Sequence, residues 1–495
     1  MTRVCTTLSW RRVRALAAAC LSLVALAAAA PPAHAARDLE VSIMDDQLLL
    51  GASAAEVNAS MAIFRNVLGV DRVRVSAFWN QIAPDARSRR KPSGFDPADH
   101  TSPKYDWSHL DTVVSAAVAN GLSVLISIST PMPIWASEQP SKRNAVWKPK
   151  PAEFAAFARA VAARYGAVAD QFALLNEPNQ GAWLQPQSDR SGSVSPHLYR
   201  ALVRAAYPAV KAVAPKATVL IGELAPSGRS DRGTTRPIRP LKFLREMGCV
   251  NTRFRAVRSG RCRGFKPVRG DAIGHHPYQL YRPPSARSRH RDDAAIADWR
   301  RLLRTLDNLT RRKRIETPNR RRLDVWYTEF GYQTNPPDPF AGIPLRRQDA
   351  YLQQAAYIAW RTPRVRSINQ FRLTDGEIGR GRDAYNEFQS GLLFRDHKPK
   401  PAFRSFPHPF VASTTRPRRG RKVSLWGQVR PGGRHEVTIE YRSGRRGAFR
   451  TLATLRTDAR GYFRRSVRAR TGQYRYRYSD GTISGTSQAI TIRTR

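Results

Sequence analysis

Gln171-Phe172-Ala173-Leu174-Leu175-Asn176-Glu177-Pro178-Asn179 is a short apolar run that stops at a glutamate set between turn-forming residues. Asp324-Val325-Trp326-Tyr327-Thr328-Glu329-Phe330-Gly331 repeats that plan further along the chain. Apolar runs of this length, bounded by breakers, read as buried strands. Leu39–Met44, Arg72–Phe78, Ser123–Ile128, Thr218–Ile221, Asp271–His275 and Ser367–Phe371 follow the same pattern, which makes eight with the first two. Stretches with helical spacing separate most of them, clearest at Ala54–Leu68, Trp107–Asn120, Pro151–Tyr165, Pro196–Ala214, Ile296–Arg311 and Arg347–Arg361. Eight strands alternating with helices over residues 38–406 predict an α/β fold, a (β/α)8 TIM barrel with long loops. A doubly wound open sheet is the alternative. It would normally carry a Gly-rich phosphate loop after its first strand, and here that loop reads Asp45-Asp46-Gln47.

Beyond the barrel the pattern changes. Residues 407–421, with Pro407, Pro409 and Arg416–Gly420, read as a linker. Over residues 422–495 apolar and polar residues alternate between turn signals, with strands expected at Val423–Val429, Val437–Tyr441, Phe449–Arg456, Gly461–Val467, Tyr474–Tyr478 and Ala489–Ile492. That is the pattern of a small all-β sandwich. At the other end, Arg3, Arg11, Arg12 and Arg14 precede an apolar stretch to about Ala30 and then Ala33-His34-Ala35-Ala36, an A-x-A cleavage site. Residues 1–35 are therefore expected to be a signal peptide, and the protein to be secreted, extracellular or held at the cell wall. Cys249 and Cys262 are the two cysteines that remain, and in an exported chain they are expected to form a local disulfide.

The formal net charge is +46, carried mostly by arginine, since only 13 of the 84 basic residues are lysines. The arginines are diffuse and are not interleaved with aromatics as in a nucleic-acid module, so no specific nucleic acid is expected as partner. Phe410–Arg495 holds 21 basic against 4 acidic residues, which makes an anionic cell-wall polymer a candidate partner for the C-terminal module. A monomer is expected. The scattered histidines lack ligand spacing, and no metal or cofactor is expected.

In a barrel of this kind the functional residues stand at the carboxyl ends of the strands. Glu177 and Glu329 end strands 4 and 7, His276 and Tyr278 follow strand 6, and Arg74 sits inside the apolar run of strand 2. Two carboxyls so placed suit a proton donor and a nucleophile for cleaving a glycosidic bond. Arg74 and Tyr278 would favour an ionised Glu329, an apolar setting would raise Glu177, and Asn176 would bind a sugar hydroxyl. Glu223, at the end of strand 5, is a further candidate for substrate contact, as are Trp135 and Trp183, whose rings suit the apolar faces of sugars. Weaker candidates are His275, Trp79, Tyr281, Asp375 and Glu377.

Asn176-Glu177-Pro178 on strand 4, with Thr328-Glu329-Phe330-Gly331 on strand 7, resembles the clan A retaining glycoside hydrolases. The cellulase family, family 5, is the nearest pattern: His276-x-Tyr278 resembles its strand 6 motif and Arg74 its strand 2 arginine. Gly391-Leu392-Leu393-Phe394-Arg395-Asp396, followed by Lys398-Pro399-Lys400-Pro401-Ala402-Phe403, is also similar to this group. Two departures stand out. The strand 3 loop, Ser129-Thr130-Pro131-Met132-Pro133-Ile134-Trp135, lacks the histidine of family 5 and is closer to family 39. After strand 8, Gln370-Phe371-Arg372 stands where family 5 has a tryptophan. Gly427-x-Val429-x-Pro431 resembles immunoglobulin-like modules of secreted enzymes. The resemblance implies retention of configuration, with Glu177 as acid/base and Glu329 as nucleophile, on an oligosaccharide or polysaccharide. The alternative is a barrel that binds glycan or cell wall without catalysis, which the two departures motivate.

Overall fold

The structure is a computed structural model, and it describes residues 38–380, 384–444, 446–479, 481 and 483–495. The expected signal peptide lies outside the described residues. The described residues make one compact unit.

Eight strands close a barrel: β1 (Glu40–Met44), β2 (Arg72–Phe78), β3 (Ser123–Ser129), β4 (Gln171–Leu174), β5 (Thr218–Leu224), β6 (Ala272–His275), β7 (Asp324–Tyr327) and β8 (Val365–Phe371). Each pairs in parallel with its neighbours in sequence, and β8 closes on β1 from Glu40↔Ser367 to Met44↔Phe371. The helices α1 (Ala54–Ala62), α2 (Ser108–Ala119), α3 (Pro151–Tyr165), α4 (Ser195–Val213), α5 (Pro240–Met247), α6 (Trp299–Arg311) and α7 (Leu345–Arg361) fall one in each gap between strands. Their sequences explain their ends. Ser53 and Glu56 close a capping box at α1, and Pro151 supplies a preset φ at the first position of α3. On α3, Phe154, Phe157, Ala158 and Val161 recur at helical spacing and are fully buried. Each such phenylalanine contributes about 2–3 kcal/mol by burial.

Inside the barrel, small and large side chains complement each other. Leu125, Ala173, Leu220 and Ala272 form one cluster, against which Trp326 packs. Arg72 lies over the Trp326 ring, 5.5 Å from its centroid, while pairing with Glu40 and Asp170. Strand alternation then puts Arg74 two residues further up the same face, toward the carboxyl ends.

After a short helix, α8 (Pro401–Ser405), come β9 (Phe410–Ala412), β10 (Lys422–Gln428), β11 (Glu436–Arg442), β12 (Arg450–Arg456), β13 (Tyr462–Arg468), β14 (Gly472–Ser479), β15 (Ser484–Thr486) and β16 (Ile490–Ile492). They form two antiparallel sheets, β9-β10-β13 and β12-β11-β14 with β15 and β16 on β14. Val423, Leu425 and Phe463 of the first sheet share a core with Val437, Ile439, Tyr474, Tyr476 and Ile492 of the second, so the module is an all-β sandwich.

Several elements differ from the sequence reading, three of them instructively. Phe410–Ala412 falls in the stretch read as linker but pairs as β9 with Leu425–Gly427, because burial of Phe410 in the sandwich core outweighs the flanking prolines. Helix α5 was hidden because eight residues offer barely two periods. Strand β15, Ser484-Gly485-Thr486, has no apolar alternation to betray it.

The module packs on the amino-terminal end of the barrel. Tyr462 donates to the Leu39 carbonyl before β1 at 3.1 Å, and Arg460 lies 3.5 Å from Asp71 before β2. Trp426 packs on Tyr357 and Trp360 near the end of α7. At Gly69, φ is 62° and a Cβ would come within 2.4 Å of the Pro431 nitrogen, so a residue without a side chain is needed there.

Candidate active site

At the opposite, carboxyl-terminal end of the strands lies a cleft of about 890 Å³. That is the size of a small-ligand site. Asn176, Glu177, Trp183, Tyr278, Glu329 and Arg74 all line it.

Backbone shape aims these groups. Strand β4 stops at Leu174, and Leu175 and Glu177 then take positive φ of 72° and 36°. This turns the Glu177 side chain off the strand line, held by its N–H donating to the Glu223 carbonyl at 3.1 Å. Left-handed backbone at a bulky residue costs on the order of 1 kcal/mol and gathers at functional sites. Beside it β5 carries a bulge between Gly222 and Leu224, with Glu223 at φ 44°. A Cβ on Gly274 would come within 2.6 Å of Glu223 Cγ, so glycine on the facing strand makes room for the buried carboxylate.

Arg74 is the hub. Its Nε and Nη2 grip Glu223 at 2.9 and 3.1 Å, Nη1 donates to Glu329 Oε1 at 3.1 Å, and Nη2 donates to Asn176 Oδ1 at 2.8 Å. Asn176 therefore spends its carbonyl on the arginine, and its amide nitrogen is left for the cleft. Tyr278 donates its hydroxyl to Glu329 Oε2 at 2.9 Å. Burial, then the charge of Glu329, raise that phenol well above its ordinary value, so it stays a donor. His276 Nδ1 lies 2.9 Å from Glu177 Oε1 and 3.4 Å from Glu329 Oε2, bridging the two carboxyls. A carboxylate oxygen from each glutamate and the His276 nitrogen all lie within 4.8 Å of one another. His276 Nε2 is 3.9 Å from Glu223, too far for a hydrogen bond.

The charges follow from this packing. Burial pushes His276 down, but Glu329, Glu177 and Glu223 around it prevail and hold it up at about 9, so it is an imidazolium at neutral pH. Burial would raise Glu223, yet Arg74 and His276 hold it well below the usual carboxylate range. Glu329 behaves otherwise than the sequence suggested. Burial raises its carboxyl, Glu177 and Glu223 add to this, and His276 and Arg74 offset only part. Glu177, His276 and Glu329 thus form a compact triangle. Its side chains are of metal-ligating types, but a protonated His276 and the Arg74 guanidinium oppose a cation there.

The other candidates separate cleanly. Trp183 lines the cleft and stacks on Phe78 at 6.3 Å and 9°. Tyr281 is exposed on the rim. Trp135 is not in the cleft: it is 2% exposed, donates to the Pro84 carbonyl and packs on Trp79 and Phe95. Its loop turns back onto the helical layer, and the sequence carried no sign of that. Glu223 is wholly buried, its carboxylate is taken by Arg74 and Ser127, and it does not line the cleft. Trp79 and His275 are likewise core residues, the latter bonded to the Ala294 carbonyl at 2.6 Å. Asp375 is buried against Lys400 at 2.6 Å. Glu377 is exposed and does not line the cleft. Cys249 and Cys262 form the expected disulfide.

The sequence missed Ser127, Phe371 and Phe388. Phe371 lines the cleft where the tryptophan was missing and meets Tyr278 edge to face at 6.1 Å. The apolar end of strand 8 was its signal. Phe388, half exposed on the rim, comes from a loop with no periodicity to read.

The profile of Cellulase (glycosyl hydrolase family 5) matches residues 46–242, a span that holds Arg74, Asn176 and Glu177 and stops before Glu329. A comparison with curated proteins finds no match. Among solved structures the chain is similar to a glucosidase from Croceicoccus marinus, at 14% identity and TM-score 0.50, covering 88% of this chain and 94% of that one. It is also similar to GH5_18 from Streptomyces cattleya in complex with GlcNAc, at 17% identity, 74% and 79% coverage and TM-score 0.47. A hyperthermophilic beta-glucosidase from Pyrococcus furiosus matches at 14% identity, 76% and 94% coverage and TM-score 0.46. The chain thus shares its fold with the Croceicoccus marinus glucosidase, and residues 46–242 carry a family 5 glycosyl hydrolase pattern.

Proposed function

We propose that this chain is a retaining glycoside hydrolase acting on an oligosaccharide or polysaccharide. The observation that carries this reading is the pair of glutamates bridged by one histidine, with carboxylate oxygens no more than 4.8 Å apart. Carboxyls about 5 Å apart suit direct attack on the anomeric carbon, while inversion needs about 6.5–9.5 Å to admit a water between them. Glu329, fixed by Arg74 and Tyr278, attacks that carbon and forms a glycosyl ester. Glu177 gives its proton to the leaving oxygen. It then takes a proton from the water that attacks the ester, and Glu329 departs. His276, with Nδ1 2.9 Å from Glu177 Oε1, orients that carboxyl toward the leaving oxygen. Asn176 donates to a sugar hydroxyl next to the reacting carbon. The Arg-rich, apolar and A-x-A amino terminus supports export, so the substrate is met outside the cell.

Replacement tests the assignment. Glu177→Gln should lower kcat by about 10²–10⁴-fold on a substrate with a poor leaving group. Glu177→Ala should be rescued by azide on an activated aryl glycoside, giving the glycosyl azide with retained configuration. Glu329→Gln should be inactive and beyond such rescue. Undiminished turnover by Glu329→Gln would overturn the reading.

A further inference from the structure

The loop after β6 forms one wall of the cleft, and its charges are unevenly used. Asp292 is gripped by Arg245 through two bonds of 2.9 Å, Asp293 by Arg239 at 2.6 Å, and Asp298 by Arg301 at 2.6 Å. Those arginines come from other positions and turn the loop's carboxylates away from its own cations. Arg282 and Arg289 of the same loop both line the cleft, are exposed, and form no ion pair among the described residues. Arg282 spends one donor on the Arg287 carbonyl at 2.9 Å. An arginine has five donors, so most of its fork is still available. Across the cleft the arrangement differs: Arg372 is 3.6 Å from Asp45, and the Glu387 carboxylate accepts from Gln47 at 2.6 Å. Arginine is abundant throughout this chain. These two are set apart because they share a cleft with the carboxyl pair and their local counter-ions are taken.

We propose that the cleft takes an anionic saccharide, carrying carboxylate or sulfate groups, whose charge is seated against Arg282 and Arg289. This deepens the glycosidase reading and rests on it. The planar fork of arginine suits either oxyanion, and the strongly basic balance of the chain draws such chains in at low salt. The basic C-terminal module sits at the opposite end of the barrel, so the charge that meets the substrate belongs to the cleft wall.

The test uses the full chain carrying Glu329→Gln, so that binding is read without turnover. Calorimetry compares hexamers of β-1,4-linked glucose and of β-1,4-linked mannose, each as neutral, C6-carboxylate and 6-sulfate forms. In at least one series an anionic hexamer should bind about ten-fold tighter than its neutral counterpart, as two charge-assisted contacts allow, and the preference should shrink with salt. The carboxylate and sulfate arms tell the two oxyanions apart. Adding Arg282→Gln with Arg289→Gln should bring the anionic-to-neutral ratio toward one. Arg311→Gln with Lys313→Gln, in a basic groove at the other end of the barrel, should leave it unchanged. Equal affinity for neutral and anionic hexamers, no anionic binding, or an equal loss in the control pair would overturn the proposal. Turnover of neutral oligomers by the wild type tests the glycosidase reading separately.

Discussion

His276 lies between the two carboxyls of the cleft, and its titration bears on stability. Folding raises it from an ordinary 6.5 to about 9, because three carboxylates surround it. A group held up in this way stabilises the fold fully below its unfolded value, and that contribution is lost as pH rises through the folded value. The loss should therefore run from about pH 6.5 to about 9, and it is on the order of 3 kcal/mol. Lys400 works in the opposite sense. Burial brings it down from 10.5 to about 8, so its contribution recovers above pH 8. Thermal unfolding between pH 6.5 and 8 isolates the histidine. The wild type should lose stability over that interval, and His276→Gln, though less stable at pH 6.5, should lose much less. Parallel curves for the two proteins would refute an imidazolium at this position. That Glu177, Glu329, Asn176, Arg74, His276 and Tyr278 come together was legible in the sequence because strand ends converge in a barrel. Trp135 and Glu223 misled for one shared reason. A residue just past a strand end can turn inward or outward, and the deciding features, a returning loop for the tryptophan and a bulge with a facing Gly274 for the glutamate, are properties of partners distant in sequence.

Among the elements, all eight barrel strands and most helices were legible, because burial on both sides imposes continuous apolar runs and because the longer helical stretches show several periods. The loops were not. They obey local hydrogen bonds and charge pairs that have no period. The segment from Cys249 to Cys262 shows how such a loop is held. It follows α5 at the amino-terminal end of the barrel, has only a three-residue 3-10 turn, and is closed by one bridge across 13 residues. Closing a loop of that size restricts the unfolded chain by about 3 kcal/mol. Cys249→Ser with Cys262→Ser should lower the free energy of unfolding in denaturant by about that amount. No residue of the segment lines the cleft, so kcat and KM of the folded protein should stay at wild-type values. A loss of activity in the folded variant would mean that the loop reaches the site through α4 or α5.

On the scale of the whole molecule, the sandwich is part of the barrel's floor. Trp426 is fully buried between Tyr357 and Trp360 of α7 and Tyr462 of its own module. Arg430 is 4% exposed, lies 4.5 Å from the Phe406 ring centroid and donates to the Phe406 carbonyl at 2.9 Å. A guanidinium is not buried at a surface that separates freely, since leaving it without its partners costs several kcal/mol. The two parts should consequently unfold as one. Calorimetry should show a single transition, and Trp426→Ala should lower it for barrel and sandwich together, by about 3–5 kcal/mol. Two resolved transitions, with only the later strands moved by the substitution, would show that the module is merely appended. The same packing bears on the idea that the module tethers the protein to an anionic polymer. Deleting Arg416–Arg495 would uncover Trp360 and the strand starts at Leu39 and Gly69, so a loss of wall binding would follow from misfolding alone. Exposed arginines of the outer strands, such as Arg450, Arg456, Arg464 and Arg465, are the informative targets. If the module is a tether, replacing those four with glutamine should weaken binding to anionic polymer while the unfolding transition stays in place. If wall binding survives that change, the module serves the barrel's stability and the cleft alone meets the polymer.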